Sequence, residues 1–201
     1  MIRVLLAEDQ AMVREALASL LDLEHDIEVV AQVGRGDEVL AAAREAQPDV
    51  ALLDIEMPGM TGLEAAQLLR AALPGCRVLM LTTFGRVGYL RRAMADGAAG
   101  FMLKDAPARE LAEAVRRVVA GERVVDAGLA AAALAEGDNP LTAREREVLA
   151  GAREHGTVAE LAGALHLSAG TTRNHLSAIM GKLGARSRID AIRVAEEKGW
   201  L

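Results

Sequence analysis

A single cysteine, Cys76, is all that 201 residues contain. One thiol allows neither an intrachain disulfide framework nor a cysteine-based metal site, and its place in the apolar run 76–81 marks it as a small buried hydrophobe in a reducing compartment. No apolar run approaches the roughly 18 to 20 residues of a membrane span. Residues 1–9 also lack the charged start, long apolar region and cleavage site of a signal peptide. A cytoplasmic protein with no membrane partner is therefore expected. A glycine-rich phosphate cradle is missing after the first strand-like run, and no acidic side chain occurs between Leu161 and Ile189. Disorder is excluded by a hydrophobic content of 52%.

The formal net charge of −6 argues by itself against nucleic acid, but it averages two unlike halves. Residues 1–140 hold 14 Lys/Arg against 22 Asp/Glu, a net −8, whereas residues 141–201 hold 9 against 7, a net +2. Arg173, Lys182, Arg186 and Arg188 supply four positive charges to the stretch without acids. The two ends do different jobs.

Strand-like apolar runs recur at 2–7, 27–31, 49–53, 76–81 and 100–103, and the segments between them (10–23, 37–46, 62–72, 87–96 and 107–120) show helical spacing, with Gly97 and Gly121 as C-caps. Five alternating β and α units predict a doubly wound, five-stranded parallel sheet of the α/β class. The stretch 50–62, VALLDIEMPGMTG, organises this pattern. Its apolar run stops at Asp54, Met57, Pro58 and Gly59 cannot continue a ladder, and Thr61 with Glu64 forms a capping box for the next helix. Asp54 thus sits at the carboxyl end of a buried strand, where open α/β sheets bind ligands.

Other polar residues fall at the same ends of their own strands: Glu8 and Asp9 after the first, Thr82 and Thr83 after the fourth, Lys104 after the fifth. Taken singly, each has an ordinary reading. An acidic pair favours a helix N-terminus, a threonine caps backbone, a lysine is solvated, an aspartate forms a turn. Their conjunction predicts a site. Hard oxygen ligands from Asp9 and Asp54, with Glu8 acting through water, would suit Mg²⁺ beside a phosphoryl group. Ionised Asp54 would be the nucleophile, Thr82 a donor to a phosphoryl oxygen and Lys104 its ionic partner.

These residues carry a family resemblance. Residues 1–121 resemble the receiver domain of bacterial two-component response regulators, a flavodoxin-like fold, through the acidic pair Glu8 and Asp9, the D-x-x-M-P-x-x-x-G run of Asp54, Met57, Pro58 and Gly62, the Thr82 hydroxyl, and the G-F-x-x-K ending of Gly100, Phe101 and Lys104. The resemblance implies Mg²⁺-dependent phosphorylation of Asp54 by a phosphohistidine on a sensor histidine kinase. It also implies that the backbone carbonyl of Glu56 is a metal ligand and that Phe101 is the aromatic that turns inward when Thr82 moves onto the phosphoryl group. Two departures stand out. Many receivers place Pro directly after the lysine, whereas here Asp105 and Ala106 intervene before Pro107, so Asp105 is expected as N-cap with Pro107 near N1. Thr83 stands where many receivers have Ala. The run from Thr82 to Met94, TTFGRVGYLRRAM, is similar to regulators of the lipid-desaturase type and their actinobacterial relatives.

Residues 122–140 read as an Ala-rich helical linker and then a tether broken at Gly137, Asp138, Asn139 and Pro140. Residues 141–201 hold four helical patterns and no convincing strand, an all-α second domain. Thr142 with Glu145 and Thr157 with Glu160 form capping boxes, and Ser168 and Ser187 are N-caps. Helix 158–166, a turn around Leu167 and helix 169–182 have the lengths of a helix-turn-helix. The motifs L-T-x-R-E-x-E-V-L (141–149), E-L-A (160–162), S-x-x-T-x-R-x-H (168–175) and K-L (182–183) resemble the LuxR-type output domain of NarL/FixJ regulators. That resemblance implies that Arg173, Asn174 and Ser177 face the major groove, with Thr171, Lys182 and Arg188 as candidate phosphate contacts. Thr172 replaces a common Val and Ser177 a common Lys. His175 either faces DNA or packs, and a lone His makes no metal site.

The expected function is that of a transcription factor, not an enzyme, in which phosphorylation of Asp54 drives a homodimer onto an inverted repeat in double-stranded DNA. Helices 12–21 and 111–119 are the expected interface, with the face around 87–94 as the alternative. Three rivals remain open: an orphan regulator that needs no phosphorylation, an aspartyl-phosphate enzyme, and a flavodoxin-like cofactor binder. The second lacks an Asp-x-Asp pair, since Glu56 follows Asp54 at that spacing. The third meets repulsion from Glu8 and Asp9. Neither of these two accounts for residues 141–201.

Overall fold

Apolar side chains fill Val50–Asp54 until its last residue, and every residue of that segment is buried because it forms the centre of a parallel sheet covered on both faces. The computed structural model describes residues 1–83, 87–135 and 139–201. Phe84, Gly85 and Arg86 of the desaturase-type run and the chain break at Gly137 and Asp138 lie outside the described residues. Two compact units are present, Met1–Gly85 with Leu90–Ala130, and Arg86–Tyr89 with Ala131–Leu201.

In chain order residues 1–135 hold β1 (Ile2–Ala7), α1 (Ala11–Asp22), β2 (Ile27–Val33), a 3-10 turn (Gly36–Glu38), α2 (Val39–Ala46), β3 (Val50–Asp54), α3 (Gly62–Ala72), β4 (Arg77–Thr82), α4 (Val87–Ala95), β5 (Gly100–Leu103), α5 (Ala108–Val119), β6 (Val124–Val125) and α6 (Ala127–Ala135). The strands run parallel in the order β2-β1-β3-β4-β5-β6. Their side chains alternate between faces. Val4, Leu6, Val50, Leu52, Leu79 and Leu81 pack with Leu21 of α1 and Leu111, Val115 and Val118 of α5. Leu5, Ala51, Leu53, Met80 and Phe101, equally buried, point to the face where α2 and α3 lie. Each fully buried leucine contributes about 1.5–3 kcal/mol of transfer free energy. Arg116 of α5 ties that helix to the turn after α1, donating to Asp26 at 2.9 and 2.7 Å and to Glu24 at 2.6 Å.

Two expectations need correction. The sheet has six strands, not five: Val124 and Val125, placed by the sequence in the linker, pair with Gly100 and Phe101 of β5. Two residues are too short to display a period, and they become a strand only because the turn at Gly121 (φ +91°) lays them beside β5. The N-cap of α5 is Pro107, not Asp105. The Ala106 N–H turns back to the Leu103 carbonyl at 3.2 Å, which places Asp105 inside a turn before the helix, and the proline ring presets the entry angle.

The second unit holds α7 (Ala143–Glu154), α8 (Val158–Ala164), α9 (Ala169–Leu183) and α10 (Arg188–Glu197). Capping boxes at Thr142 with Glu145 and Thr157 with Glu160 open α7 and α8, and the Ser168 and Ser187 hydroxyls cap α9 and α10, as their spacing predicts. Between α8 and α9 the chain reverses through His166 in the left-handed region (φ +54°), ending α8 two residues short of the expected His166. Leu149, Leu161, Leu176, Ile179 and Trp200 fill the core. Asn139 clasps both ends of the unit, donating to the Trp200 carbonyl at 3.1 Å and accepting the Leu141 N–H at 2.9 Å.

Glu145 does more than cap. Its buried carboxylate also takes the Lys182 ammonium at 2.7 Å, fastening the start of α7 to the last turn of α9. The lysine and the Thr142 N–H hold the carboxyl down at about 2. A depressed folded pKa gives stability that is complete above the ordinary glutamate range and is lost as pH falls toward about 2. The only tryptophan, Trp200, lies in this core and reports its unfolding by fluorescence. Glu145→Gln should lower the melting temperature at neutral pH and flatten the acid limb between pH 5 and about 2; an unchanged acid limb in that variant would contradict the assignment.

Candidate functional site

In a doubly wound sheet the crevice opens where the chain turns from one side of the first strand to the other, here between β1 and β3. β1 ends beside it and delivers Glu8 and Asp9; β3 delivers Asp54. Oxygens of these three carboxylates lie within 4.8 Å of one another. Glu8 and Asp54 are buried and Asp9 is exposed. Lys104, one residue past β5, reaches across with its ammonium 2.6 Å from Glu8 Oε2 and 2.9 Å from Asp54 Oδ2. The backbone assists on both sides. The Ile55 N–H donates to Asp54 Oδ1 at 2.7 Å, and the Gln10 N–H to Glu8 Oε1 at 3.2 Å.

Burial pushes the Glu8 and Asp54 carboxyls above the ordinary range, while the Lys104 hydrogen bonds pull both back. Burial acts downward on Lys104, but its bonds to Glu8 and Asp54 outweigh that, so its ammonium is held more firmly than usual. Three acidic side chains thus face one ammonium. Hard carboxylate oxygens in excess over cationic charge fit a divalent ion with a preference for oxygen, which is the chemistry expected of Mg²⁺.

Thr82 closes β4, buried, and its carbonyl accepts the Lys104 N–H at 2.8 Å, so hydroxyl and ammonium emerge from adjacent strand ends. Phe101, opposite Met80 in the ladder, is wholly buried. Glu56 lies on the loop after β3 with its side chain exposed, and Thr83 is exposed after Thr82. The loop closes tightly: a Cβ on Gly62 would lie 1.8 Å from the Asp54 carbonyl, so only glycine lets α3 begin this near the strand end. Sequence reasoning missed Arg14. From α1 its guanidinium donates to the Glu8 carbonyl at 2.6 Å and rests near Gly34, bracing the loop that carries the acidic pair. The available signal was a basic residue one turn into the helix that follows the acids.

In the second unit the structure separates the candidate DNA contacts into two groups. Arg173, Asn174 and Ser177 are exposed on α9, opposite the buried Leu176 and Ile179. Thr171 is exposed with its hydroxyl 2.9 Å from that of Ser168. Lys182 is engaged by Glu145, and Arg188 donates to the His155 and Gly156 carbonyls at 3.0 and 2.9 Å, bracing α10 against the turn after α7. Thr172, where Val is common, is fully buried with its hydroxyl returned to the Ser168 carbonyl at 3.0 Å. His175 is half-buried.

Known proteins match the chain in two parts. The response regulator receiver domain matches residues 4–116, and the luxR family of bacterial regulatory proteins matches residues 139–195. The transcriptional regulatory protein DesR of Bacillus subtilis is 46% identical over the whole of both chains. The response regulator RamR of Streptomyces coelicolor is 41% identical over all of this chain and 98% of its own. Among solved structures, the response regulator ChrA of a heme-sensing two-component system superposes with a TM-score of 0.60 at 34% identity, covering 100% of this chain and 98% of that one. No described helix is long and apolar enough to cross a membrane. The chain belongs to the two-component response regulators of the NarL/FixJ type, a receiver domain joined to a LuxR-type helix-turn-helix, and is a DNA-binding regulator of transcription.

Proposed function

We propose that Asp54 is the phosphoacceptor through which a sensor histidine kinase controls this regulator in the cytoplasm. The observation that carries the reading is the Lys104 ammonium held between Glu8 and Asp54 while Asp9 stands within reach of both. An Asp54 carboxylate oxygen forms a bond to phosphorus as the bond from phosphorus to the donor imidazole breaks, giving an acyl phosphate on the aspartate and a free histidine on the kinase. Glu8, Asp9, Asp54 and the Glu56 carbonyl are the residues that would hold Mg²⁺. When bound, that ion neutralises phosphoryl oxygens. Lys104 orients the group, and Thr82, one strand away, donates its hydroxyl to it. The added charge of about −1.5 to −2 enters a pocket already rich in anions, so the ends of β4 and β5 must answer it. Movement of Thr82 and Phe101 together would carry the signal toward α5 and shift a two-state surface.

The surface proposed for dimerisation is the face of α1 and α5. Met12 in the first turn of α1 and Leu23 at its C-cap are each 81% exposed, Leu20 is 42% exposed and Val119 of α5 is 36% exposed, apolar side chains that a monomer leaves in water. A twofold dimer places two recognition helices roughly 34 Å apart, one DNA turn, which suits an inverted-repeat operator. Arg173, Asn174 and Ser177 on α9 are the proposed base and groove contacts. Thr171 is proposed to contact phosphate, while the engaged donors of Lys182 and Arg188 argue for roles that first set the helix in place.

Wild-type protein with Mg²⁺ and a small phosphodonor should acquire an acid-labile phosphoryl group, gain dimer mass in light scattering and bind more tightly to a duplex selected from a random library. Asp54→Ala should do none of these, and equal mass and affinity in both proteins would remove phosphorylation from control. Met12→Glu combined with Leu23→Glu should still be phosphorylated yet stay monomeric; a phosphorylated dimer in that variant moves the interface elsewhere. Arg173→Ala should weaken operator binding by about 1–3 kcal/mol with the fold intact. Lys182→Met should lower the melting temperature while leaving the slope of log affinity against log salt unchanged; a slope shallower by about 0.9 would mark Lys182 as a phosphate contact.

A further inference from the structure

We propose that the segment 33–37 at the end of β2, which supplies no ligand to the acidic crevice, sets the size of cation the crevice accepts, with Arg14 and Asp37 as positioning residues. The inference rests on the metal reading of Glu8, Asp9, Asp54 and the Glu56 carbonyl given above, and adds what holds their spacing. Those ligands come from the loops after β1 and β3. The two strands are neighbours in the sheet, so their ladder fixes the strand ends but not the loops beyond them.

Both loops are fastened to segment 33–37. On one side the Glu8 N–H donates to the Val33 carbonyl at 3.1 Å, and the Glu8 carbonyl takes the Arg14 guanidinium at 2.6 Å. That guanidinium lies against Gly34, where a Cβ would stand 3.2 Å from Arg14 Nη1. With its donor and acceptor both engaged, the Glu8 backbone holds the peptide leading to Asp9 in one orientation. On the other side the Gly36 N–H donates to the Pro58 carbonyl at 3.1 Å, so near that a Cβ on Gly36 would lie 1.9 Å from the Met60 carbonyl oxygen. The Asp37 carboxylate rests on Gly59, where a Cβ would stand 2.5 Å from Asp37 Oδ1. Arg35 holds that carboxylate in place by two bonds, at 2.9 and 2.8 Å.

One short segment thus clamps both ligand-bearing loops and holds them at a single spacing. Arg14 meets a carbonyl rather than the carboxylates, so it steadies the acidic pair and leaves the excess of acid intact. Mg²⁺ demands near-ideal octahedral geometry with oxygens at about 2.0–2.1 Å, whereas Ca²⁺ accepts a looser shell at about 2.3–2.6 Å. Loops fixed by bonds outside the crevice suit the smaller, more exacting ion. Loops free to part by a few tenths of an ångström suit either ion, and the preference shrinks.

The test titrates Mg²⁺ and Ca²⁺ separately into the full chain, without a phosphodonor, and follows binding by calorimetry and by the backbone amide shifts of Gln10 and Ile55. In Arg14→Met the affinity for Mg²⁺ should fall roughly ten-fold while that for Ca²⁺ changes less than about two-fold, so the ratio of the two falls. Charge alone predicts the opposite sign, since removing a cation beside three carboxylates tightens both ions. Arg14→Lys, which keeps a donor, should restore most of the ratio, and Arg44→Gln on α2 should bind as wild type. Asp37→Ala should lower the ratio through the other loop, and carries the expectation alone if Arg14→Met does not fold. An unchanged ratio in these variants, whether both ions bind as before, more tightly or equally weakly, would overturn the proposal and leave the crevice a metal site. Wild-type protein that binds no Mg²⁺ saturably would overturn the metal reading itself, and the proposal with it.

Discussion

The Lys104 ammonium, lodged between Glu8 and Asp54, is the interaction on which the receiver depends. Burying a carboxylate costs several kcal/mol unless a partner answers it, and here two are buried side by side. One lysine bonds to both, yet with Asp9 at the rim the site keeps an excess of negative charge over positive. That residual imbalance is what suits the place to the role proposed for it. It fits a divalent ion, and it leaves an Asp54 oxygen beside an ammonium, the arrangement the proposed phosphoryl transfer requires. A fully neutralised triad would be stable and inert.

The output domain uses the same pair of groups to the opposite end. Glu145 is also a buried carboxylate and Lys182 also its ammonium, but the Thr142 N–H completes the set and the charge is cancelled. The result is a fixed angle between α7 and α9. Two residues that look like surface charges in the sequence therefore differ in kind from Arg173, which has no such partner among the described residues and lies on the exposed face of α9. The distinction matters for DNA binding because a lysine already held by a buried carboxylate must break that bond before it can meet a phosphate.

Local chemistry made much of this readable in advance. The capping boxes at Thr61, Thr142 and Thr157 involve residues three apart, so one turn of helix decides them. The glycines at 97 and 121 end helices because a left-handed residue is needed there and glycine supplies it without strain. Where expectation and structure part, a longer-range contact is responsible. Val124 and Val125 are a strand only beside β5. Asp105 yields the cap position to Pro107 because the turn from Leu103 takes it first. Arg14 braces Glu8 from a helix whose orientation is set by packing against the sheet.

By itself the amino-acid sequence determined the alternation of strands and helices, their caps, and the presence of an acid, hydroxyl or amine at the end of four separate strands. Those are properties of periods and of neighbours a few residues apart, and a linear string records them in full. Only the tertiary structure decided that Lys104 bonds to Glu8 and Asp54 together, and that Lys182 and Arg188 engage Glu145 and the His155 and Gly156 carbonyls inside the domain. Each of those depends on strand order and helix packing, which bring together residues tens of positions apart, and no local pattern in the chain encodes such distances.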